Sequence, residues 1–221
     1  MKGDRLPVQI LCAKVIPNAS PAICKALGIK KHYPSLALFS ADSDDVTYIA
    51  LDHATKEASV EVVYGRSLYA GAANASTALA GEVIGILGAE TPDEAESGLR
   101  AAVSHIKTLG FRSANDRGDV VYLAHTVART GSYLSQIAKV PQGSPLAYLI
   151  APPVEAMVAL DGALKAAAVE VGTFFLPPTE TNFAGALLTG TESACKAACD
   201  AFAEIVGEIA ANPKGDKYGI G

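Results

Sequence analysis

Cysteine and histidine are the side chains of this sequence best suited to metal binding or redox chemistry, and the chain has four of each. Cys195 and Cys199 are four positions apart, which places both thiols on one face of a helix, whereas Cys12 and Cys24 stand alone. No histidine lies near the pair in the sequence. We expect four small, reduced core residues, with a metal or redox role for the pair as the alternative.

The histidines, at positions 32, 53, 105 and 125, do not follow a metal-binding spacing. His53 lies on the apolar stripe of a predicted helix and His125 on an apolar strand, so we expect hydrogen-bonded imidazoles in a core or an interface. The alanine-rich residues 71–81 lack the Gly-Lys-Ser/Thr of a phosphate loop. No recognised motif combines a nucleophile with a base. We expect no enzyme activity, no cofactor and no bound metal.

Composition excludes several classes of function. The chain has 221 residues, of which 50% are hydrophobic and 19% charged, with a formal net charge of −5. Apart from the adjacent Lys30 and Lys31, its basic residues are scattered singly, so we expect no nucleic-acid partner. Charges, prolines and glycines interrupt every long apolar stretch, so we expect no membrane-spanning helix. Lys14 ends the run Val8–Ala13 before it reaches signal-peptide length, which indicates a cytoplasmic protein.

The sequence contains an internal repeat. Residues 35–41, SLALFSA, are similar to residues 145–151, PLAYLIA, almost half the chain length further on. Residues 51–62 match residues 160–171 at most positions. The distance between these two strings is one residue shorter than that between the first two, so one residue is deleted in the second copy. Further along, the alignment sets Ala80-Gly81 beside Ala184-Gly185, and therefore Glu82 beside Ala186. The chain is a tandem duplication.

Each half predicts the same order of elements. Apolar periodicities alternate between 2 and 3.6 residues, which indicates short strands and amphipathic helices in an α/β unit. We expect one domain over residues 1–110 and a second over 111–221, joined at 110–118, a segment too short for a flexible linker.

Acidic residues mark the entry to the central helix of each half. Asp42 is the predicted N-cap, and Asp45 follows three residues later, where an acid complements the helix dipole. In the second half the entry is Pro152-Pro153-Val154-Glu155, with proline suited to the first turn. The repeat pairs Asp45 with Glu155. Capping explains both acids, and a ligand-binding role is the alternative.

Several strings resemble one family. Residues 52–62 and 161–171, which share Asp, Ala, Lys and Val-Glu-Val, resemble the bacterial microcompartment shell domain. Duplication of that domain, with a strand and a helix ahead of its usual start, resembles the circularly permuted tandem class. Four more strings are similar to shell proteins of ethanolamine utilisation: residues 40–46, 62–71, 129–134 and 177–183. The resemblance implies two shell domains, each a small, mainly antiparallel sheet flanked by helices.

The resemblance also implies a function. Six shell domains surround an axis, so three two-domain chains would form a homotrimeric, pseudohexameric tile. Tiles meet other shell proteins in flat sheets and enclose ethanolamine catabolism, which places the chain in the microcompartment shell. The alternative is a soluble trimeric sensor that binds a small amine. At high concentration a tile assembles into sheets, whereas a sensor stays a discrete trimer.

A gated central pore is the first path that the resemblance implies. The loops at 64–75 and 173–182 are expected to face the axis. The first loop is rich in glycine and alanine, which tolerate several backbone conformations, so it is expected to open and shut. An ordinary surface loop is the alternative. The pore and gate residues are Gly65, Arg66, Ser67, Tyr69 and Gly71.

A small channel between the two domains of one chain is the second implied path. Ethanolamine carries an ammonium and a hydroxyl, so its site needs carboxylates, a hydrogen-bonding partner and preferably an aromatic face. Helix capping, a surface acid and plain packing are the alternatives for its acids and its aromatic residue. By resemblance the channel is lined by Asp45, Glu82, Phe111 and Thr181, with Glu155, Asp44 and Asn182 as neighbours.

Overall fold

The computed structural model describes residues 1–29, 33–67, 83–177 and 183–214. The chain divides into two compact units. The first unit comprises Pro7–Leu109 and Gly131–Leu134; the second comprises Met1–Leu6, Gly110–Thr130 and Ser135–Gly221. Each unit therefore includes a short segment from the other half of the sequence, and the domain boundary at 110 stays a prediction. Within the described ranges, no helix has the length and apolar character needed to cross a membrane.

The first unit is a four-stranded antiparallel sheet with three helices. Its strands lie in the order β1-β2-β4-β3. The elements along the chain are β1 (Ile10–Ile16), α1 (Pro21–Ala26), β2 (Ser35–Ala41), α2 (Asp44–Glu57), β3 (Val60–Ser67), β4 (Val83–Ala89) and α3 (Pro92–Ile106).

The second unit repeats this architecture. Its strand order, β5-β6-β7-β9-β8, reproduces that of the first unit after one added edge strand. The elements are β5 (Arg112–Ser113), β6 (Val121–Val127), α4 (Ser132–Ala138), β7 (Leu146–Ala151), α5 (Pro153–Ala166), β8 (Val169–Phe175), β9 (Ala184–Gly190) and α6 (Glu192–Ala211). Helix α4 begins in the segment that belongs to the first unit. The predicted fold class, with two tandem domains of mainly antiparallel sheet and helices, is confirmed.

The core of each unit lies between its central strands and its two long helices. Strand β7 is buried along its whole length because it pairs on both sides and is covered by helices. Phe202 of α6 and Leu160 of α5 are at most 2% exposed in the same cluster. In the first unit α3 approaches the sheet closely at Gly98, where an added Cβ would lie 2.7 Å from a methyl of Val60. Small residues therefore let the helices pack tightly on each sheet.

Strand pairing corrects the alignment of the two halves. Ala41 pairs with Val83, and its repeat counterpart Ala151 pairs with Ala184. Val83 therefore corresponds to Ala184 in the repeat, and the predicted equivalence of Glu82 and Ala186 is wrong. The Ala-Gly pairs that suggested it are not equivalent, because the segments before β4 and β9 differ in length.

The helix entries require a second correction. Helix α2 begins at Asp44, three positions after Ala41, but α5 begins at Pro153, only two after Ala151. The single deletion in the repeat therefore lies at the strand–helix junction. When the two helices are aligned at their first residues, Asp44 and Pro153, Asp45 falls beside Val154. The predicted equivalence of Asp45 and Glu155 is wrong.

The cysteines follow the prediction with one exception. Cys195, Cys199 and Cys24 are buried, and all four cysteines are free thiols. Cys12 is exposed. It lies on β1, an edge strand on which exposed and half-buried positions alternate, so its expected place in the core is wrong.

Candidate functional site

The entry to α2 carries two of the residues predicted to line a channel. Ser43, with an extended backbone at φ −147° and ψ 120°, is the N-cap. Asp42 lies outside the helix, where its carboxylate accepts a hydrogen bond from the backbone N–H of Gln9 at 2.8 Å. Because that bond ties Asp42 to the start of β1, the predicted capping role of Asp42 is wrong.

Asp44 connects the start of α2 to the end of β3. One carboxylate oxygen accepts from the backbone N–H of Asp45 at 2.8 Å, and the other accepts from the hydroxyl of Ser67 at 2.9 Å. Asp45 is only 8% exposed. The hydroxyl of Ser43 is buried and has no hydrogen-bond partner among the described residues. The structure thus brings a predicted channel residue, Asp44, into contact with a predicted gate residue, Ser67.

Phe111 and Glu155 belong to the second unit. The ring of Phe111 stacks on Phe183 with the centroids 5.7 Å apart and the planes at 25°. The carbonyl of Phe111 accepts from the backbone N–H of Leu6 at 2.8 Å. Glu155 is half-buried in the first turn of α5. The other predicted site residues, Glu82, Thr181, Asn182, Tyr69 and Gly71, lie outside the described part of the chain.

The predicted gate loop begins later than expected. Strand β3 continues to Ser67 and β8 to Phe175, so the predicted loop starts at 64 and 173 are wrong. Gly65 pairs with Gly85 in the ladder. A Cβ added at Gly65 would lie 2.6 Å from the hydroxyl of Tyr133, so the glycine is needed for a close approach rather than for flexibility.

A pocket of about 230 Å³ lies beside this end of β3. Arg66 is exposed, and its guanidinium lies 5.8 Å from the ring centroid of Tyr64, a cation–π contact. Tyr133 forms another wall, and burial raises the pKa of its hydroxyl to about 12, so it stays protonated. No role was predicted for Tyr133, although its segment, residues 129–134, carries part of the family resemblance.

His53 packs against a second histidine. It is half-buried on α2, and its ring stacks on His105 of α3, with the centroids 3.9 Å apart and the planes at 13°. Burial first, and then the nearby Lys56 ammonium, lower the pKa of His53. His125 on β6 is likewise half-buried. The stacked pair therefore favours a neutral His53.

The cysteine pair of α6 is held in its thiol form. Thr126 lies with its hydroxyl 3.5 Å from the sulfur of Cys199, and the thiol of Cys195 faces the carbonyl of Leu188 at 3.9 Å. Burial raises the pKa of both thiols, that of Cys199 to about 11. Within the described ranges, no three His, Cys, Asp or Glu residues are grouped so that they could hold a metal ion. This part of the chain supports the core interpretation of the pair.

Comparisons with known proteins agree with the resemblance. No family model matches the chain. The bacterial microcompartment shell protein EutL of Clostridium perfringens is 60% identical over 216 residues, which are 97% of this chain and 100% of that protein. The crystal structure of ethanolamine utilization protein EutL from Leptotrichia buccalis is 57% identical, with a TM-score of 0.93 over 97% of this chain and 100% of that one.

A more distant structure shares the fold. The trimeric bacterial microcompartment shell protein PduB is 20% identical, with a TM-score of 0.75 over 92% of this chain and 89% of that one. The repeated antiparallel units and these relatives together define a shell protein of bacterial microcompartments. Within that class, the chain belongs to the EutL family. It is accordingly a component of the microcompartment shell, and the family resemblance drawn from the sequence is confirmed.

Proposed function

We propose that the chain forms a homotrimeric tile of the ethanolamine-utilisation shell, together with other shell proteins, and has no catalytic role of its own. The repeated strand order carries this proposal, because three chains with two equivalent units each supply six units to a ring. The relatives are named as shell proteins, which favours a tile over a small-amine sensor.

A gated pore is the second part of the proposal. Ser67 and Val83, the described residues on either side of positions 68–82, pair in adjacent strands. That segment contains Tyr69 and Gly71. We assign the gate to it, with Gly65, Arg66 and Ser67 as its anchor on β3 rather than as part of a loop.

Ethanolamine binding is the third part. The carboxylates of Asp44 and Asp45 would attract the ammonium. The hydroxyl of Ser43, which has no hydrogen-bond partner among the described residues, offers a hydrogen bond to the ligand's hydroxyl. Phe111 supplies an aromatic face in the second unit. The remaining residues of the proposed site are Glu82, Thr181, Asn182 and Glu155.

Calorimetry and microscopy test the proposal. Ethanolamine should bind the wild-type trimer, and Asp45→Asn should bind it at least about tenfold more weakly, since the charge that pairs with the ammonium is lost. Asp200→Asn, which neutralises an exposed acid on α6, is the control and should bind normally. Equal affinity of Asp45→Asn and wild type would reject the site. Electron micrographs that show only discrete particles at high concentration would favour a sensor.

A further inference from the structure

The start of α4 is seated on α2 within the first unit. The buried carboxylate of Asp52 accepts from the backbone N–H of Gly131 at 2.7 Å and from that of Leu134 at 2.8 Å. The hydroxyl of Thr55 accepts from the N–H of Ser132 at 3.2 Å. Asp52 therefore satisfies N–H groups that the first turn of a helix otherwise leaves free.

The equivalent face of the second unit is exposed. The alignment of α2 with α5 at their first residues places Asp161 at the position of Asp52. The side chain of Asp161 is 65% exposed and pairs only with Lys165 of its own helix among the contacts that the structure describes, at 2.6 Å. Three apolar residues of α5 on or near this face, Val154, Met157 and Val158, are 68%, 42% and 50% exposed. Such a contiguous apolar patch is typical of an interaction surface.

Helix α1 is the repeat counterpart of α4. Each helix is followed by a residue with positive φ, Gly28 at 70° and Lys139 at 58°, and aligning these two residues fixes the correspondence between the helices. Leu134 therefore corresponds to Ile23. Leu134 is 1% exposed at its seat on the first unit, whereas Ile23 is 45% exposed. An exposed face and an exposed segment are thus left over in every chain.

We propose that residues 20–23 of one subunit bind to α5 and β8 of a second copy of this chain, as Gly131–Leu134 bind to α2 and β3. Asp161 then takes the place of Asp52 beneath the partner's helix start. The contact joins different surfaces of the two copies, so it runs head to tail and requires a closed ring to leave no surface unpaired. This inference rests on the proposed homotrimer and names the residues that hold it together.

A matched pair of replacements supports the proposed contact between subunits. In the first unit Ser132 donates its N–H to Thr55. At the corresponding positions stand Pro21, which has no N–H, and Leu164, which has no acceptor in its side chain. Donor and acceptor have disappeared together, so the proposed contact leaves neither group unsatisfied.

A matched exchange of volume supports it further. Tyr133 fills the space above Gly65, whose added Cβ would meet the tyrosine hydroxyl at 2.6 Å. Gly65 pairs with Gly85, and Phe174 pairs with Ala186, the repeat counterpart of Gly85, so Gly65 corresponds to Phe174. The correspondence of α1 with α4 likewise aligns Tyr133 with Ala22. In the first unit a large residue faces a glycine, whereas in the proposed contact the small Ala22 would face the large Phe174. Phe174 is 43% exposed, and Ala22 is also exposed. Such complementary sizes are what a packed interface requires.

One position requires an adjustment of the seat. A Cβ added at Gly131 would lie 2.6 Å from the backbone carbonyl of Asp52 and would overlap the hydroxyl of Thr55. Ser20, the N-cap of α1, occupies this position, so the partner's segment must lie a few tenths of an ångström farther from α5. The same closeness makes Ser20 and Leu164 suitable positions for a disulfide between subunits.

Cysteine cross-linking tests the contact. Ser20→Cys with Leu164→Cys, in a Cys12→Ser background that removes the exposed thiol, should give covalent dimers and trimers on oxidation, reversible by reductant. Ser20→Cys with Glu204→Cys, an exposed position on α6, is the matched control and should stay monomeric on a denaturing gel. A trimer in light scattering without any Ser20–Leu164 cross-link would overturn the contact and leave the trimer intact.

An exchange of side chains gives an independent test. Ala22→Tyr alone should overpack against Phe174 and weaken trimer assembly about tenfold or more. The double variant Ala22→Tyr with Phe174→Gly recreates the pair found in the first unit and should restore the trimer. Failure of the double variant to assemble better than Ala22→Tyr would contradict the proposal. A wild-type particle of one subunit mass, 22.7 kDa, would instead reject the homotrimer itself.

Discussion

The two units fill the crossing of their long helices in different ways. In the first unit His53 of α2 stacks on His105 of α3 at 3.9 Å. Counted from the N-cap of each helix, the corresponding residues of the second unit are Gly162 and Ile205. A Cβ added at Gly162 would overlap the end of Ile205. Two flat rings are thus replaced by a glycine and a branched chain, which shows that duplicated domains diverge in facing pairs rather than residue by residue.

The largest difference that we expect between the units concerns their paired aspartates. Asp52→Ala should lower the free energy of unfolding by about 3 kcal/mol or more, because Lys56 and two backbone N–H groups lose a buried partner. Asp161→Ala removes an exposed ion pair and should cost about 0.5 kcal/mol or less. Urea unfolding at a concentration too low for association measures both. Equal losses would show that Asp52 has no special role.

Gly162 should be the next most sensitive position. Gly162→Ala gains helix propensity but forces the side chain of Ile205 to move, for a net loss of about 1–2 kcal/mol. Adding Ile205→Val removes the overlapping methyl and should recover that loss. The melting temperatures of the single and double variants measure the effect. Additive losses in the double variant would mean that the two residues do not share the crossing.

The capping threonines should show a smaller contrast. Thr91 forms a capping box, since its hydroxyl accepts from the N–H of Glu94 at 3.2 Å and the Glu94 carboxylate accepts from Thr91. The Thr191 hydroxyl accepts from the N–H of Ala194 at 3.2 Å and shares a hydrogen bond with the Ser193 hydroxyl at 3.0 Å, but Ala194 has no carboxylate to bond back to the cap. Thr91→Ala should cost about 1–2 kcal/mol and Thr191→Ala about 1 kcal/mol or less by thermal unfolding. A larger loss for Thr191→Ala would reverse this ranking of the two helix starts.

The smallest effect that we expect is a pH dependence confined to the first unit. The pKa of His53 is lowered by burial and Lys56, against the weaker influence of Glu57 and Asp52, and His105 lies against its ring. The folded state therefore binds this proton less well than the unfolded state, so stability is full above about pH 6.5 and falls as the pH drops below it. His53→Gln should flatten the dependence of the melting temperature on pH in that range. An unchanged slope would assign it to other groups.

Much of the fold could be predicted because the duplication and the apolar periodicities are properties of the chain itself. The strand and helix expected ahead of the usual start of the shell domain are present in both halves, as β1 and α1 in the first and as β6 and α4 in the second. The alignment of Asp45 with Glu155 failed because both helix entries are acidic, which hid a single deletion at the junction. Only strand pairing, which joins residues far apart in sequence, locates that deletion.

The candidate site was less predictable. Gly65 and Ser67 have low strand propensity, so the end of β3 resembled a loop in the sequence, yet pairing with β4 keeps these residues in the sheet. The approach of Tyr133 to Gly65 depends on a segment from the other half of the chain, which periodicity cannot reveal. The hydrogen bond between Asp44 and Ser67 likewise needs the strand and the helix to be placed first.

The exchange of short segments makes the duplicated gene hard to divide. A cut after residue 110 would separate the Asp52 carboxylate from the N–H groups of Gly131 and Leu134, which donate hydrogen bonds to it. It would also separate the N–H of Leu6 from its acceptor, the carbonyl of Phe111. Each fragment would then expose the surface that a short segment of the other fragment normally covers. Half-length polypeptides should therefore fold poorly when expressed singly and recover when expressed together.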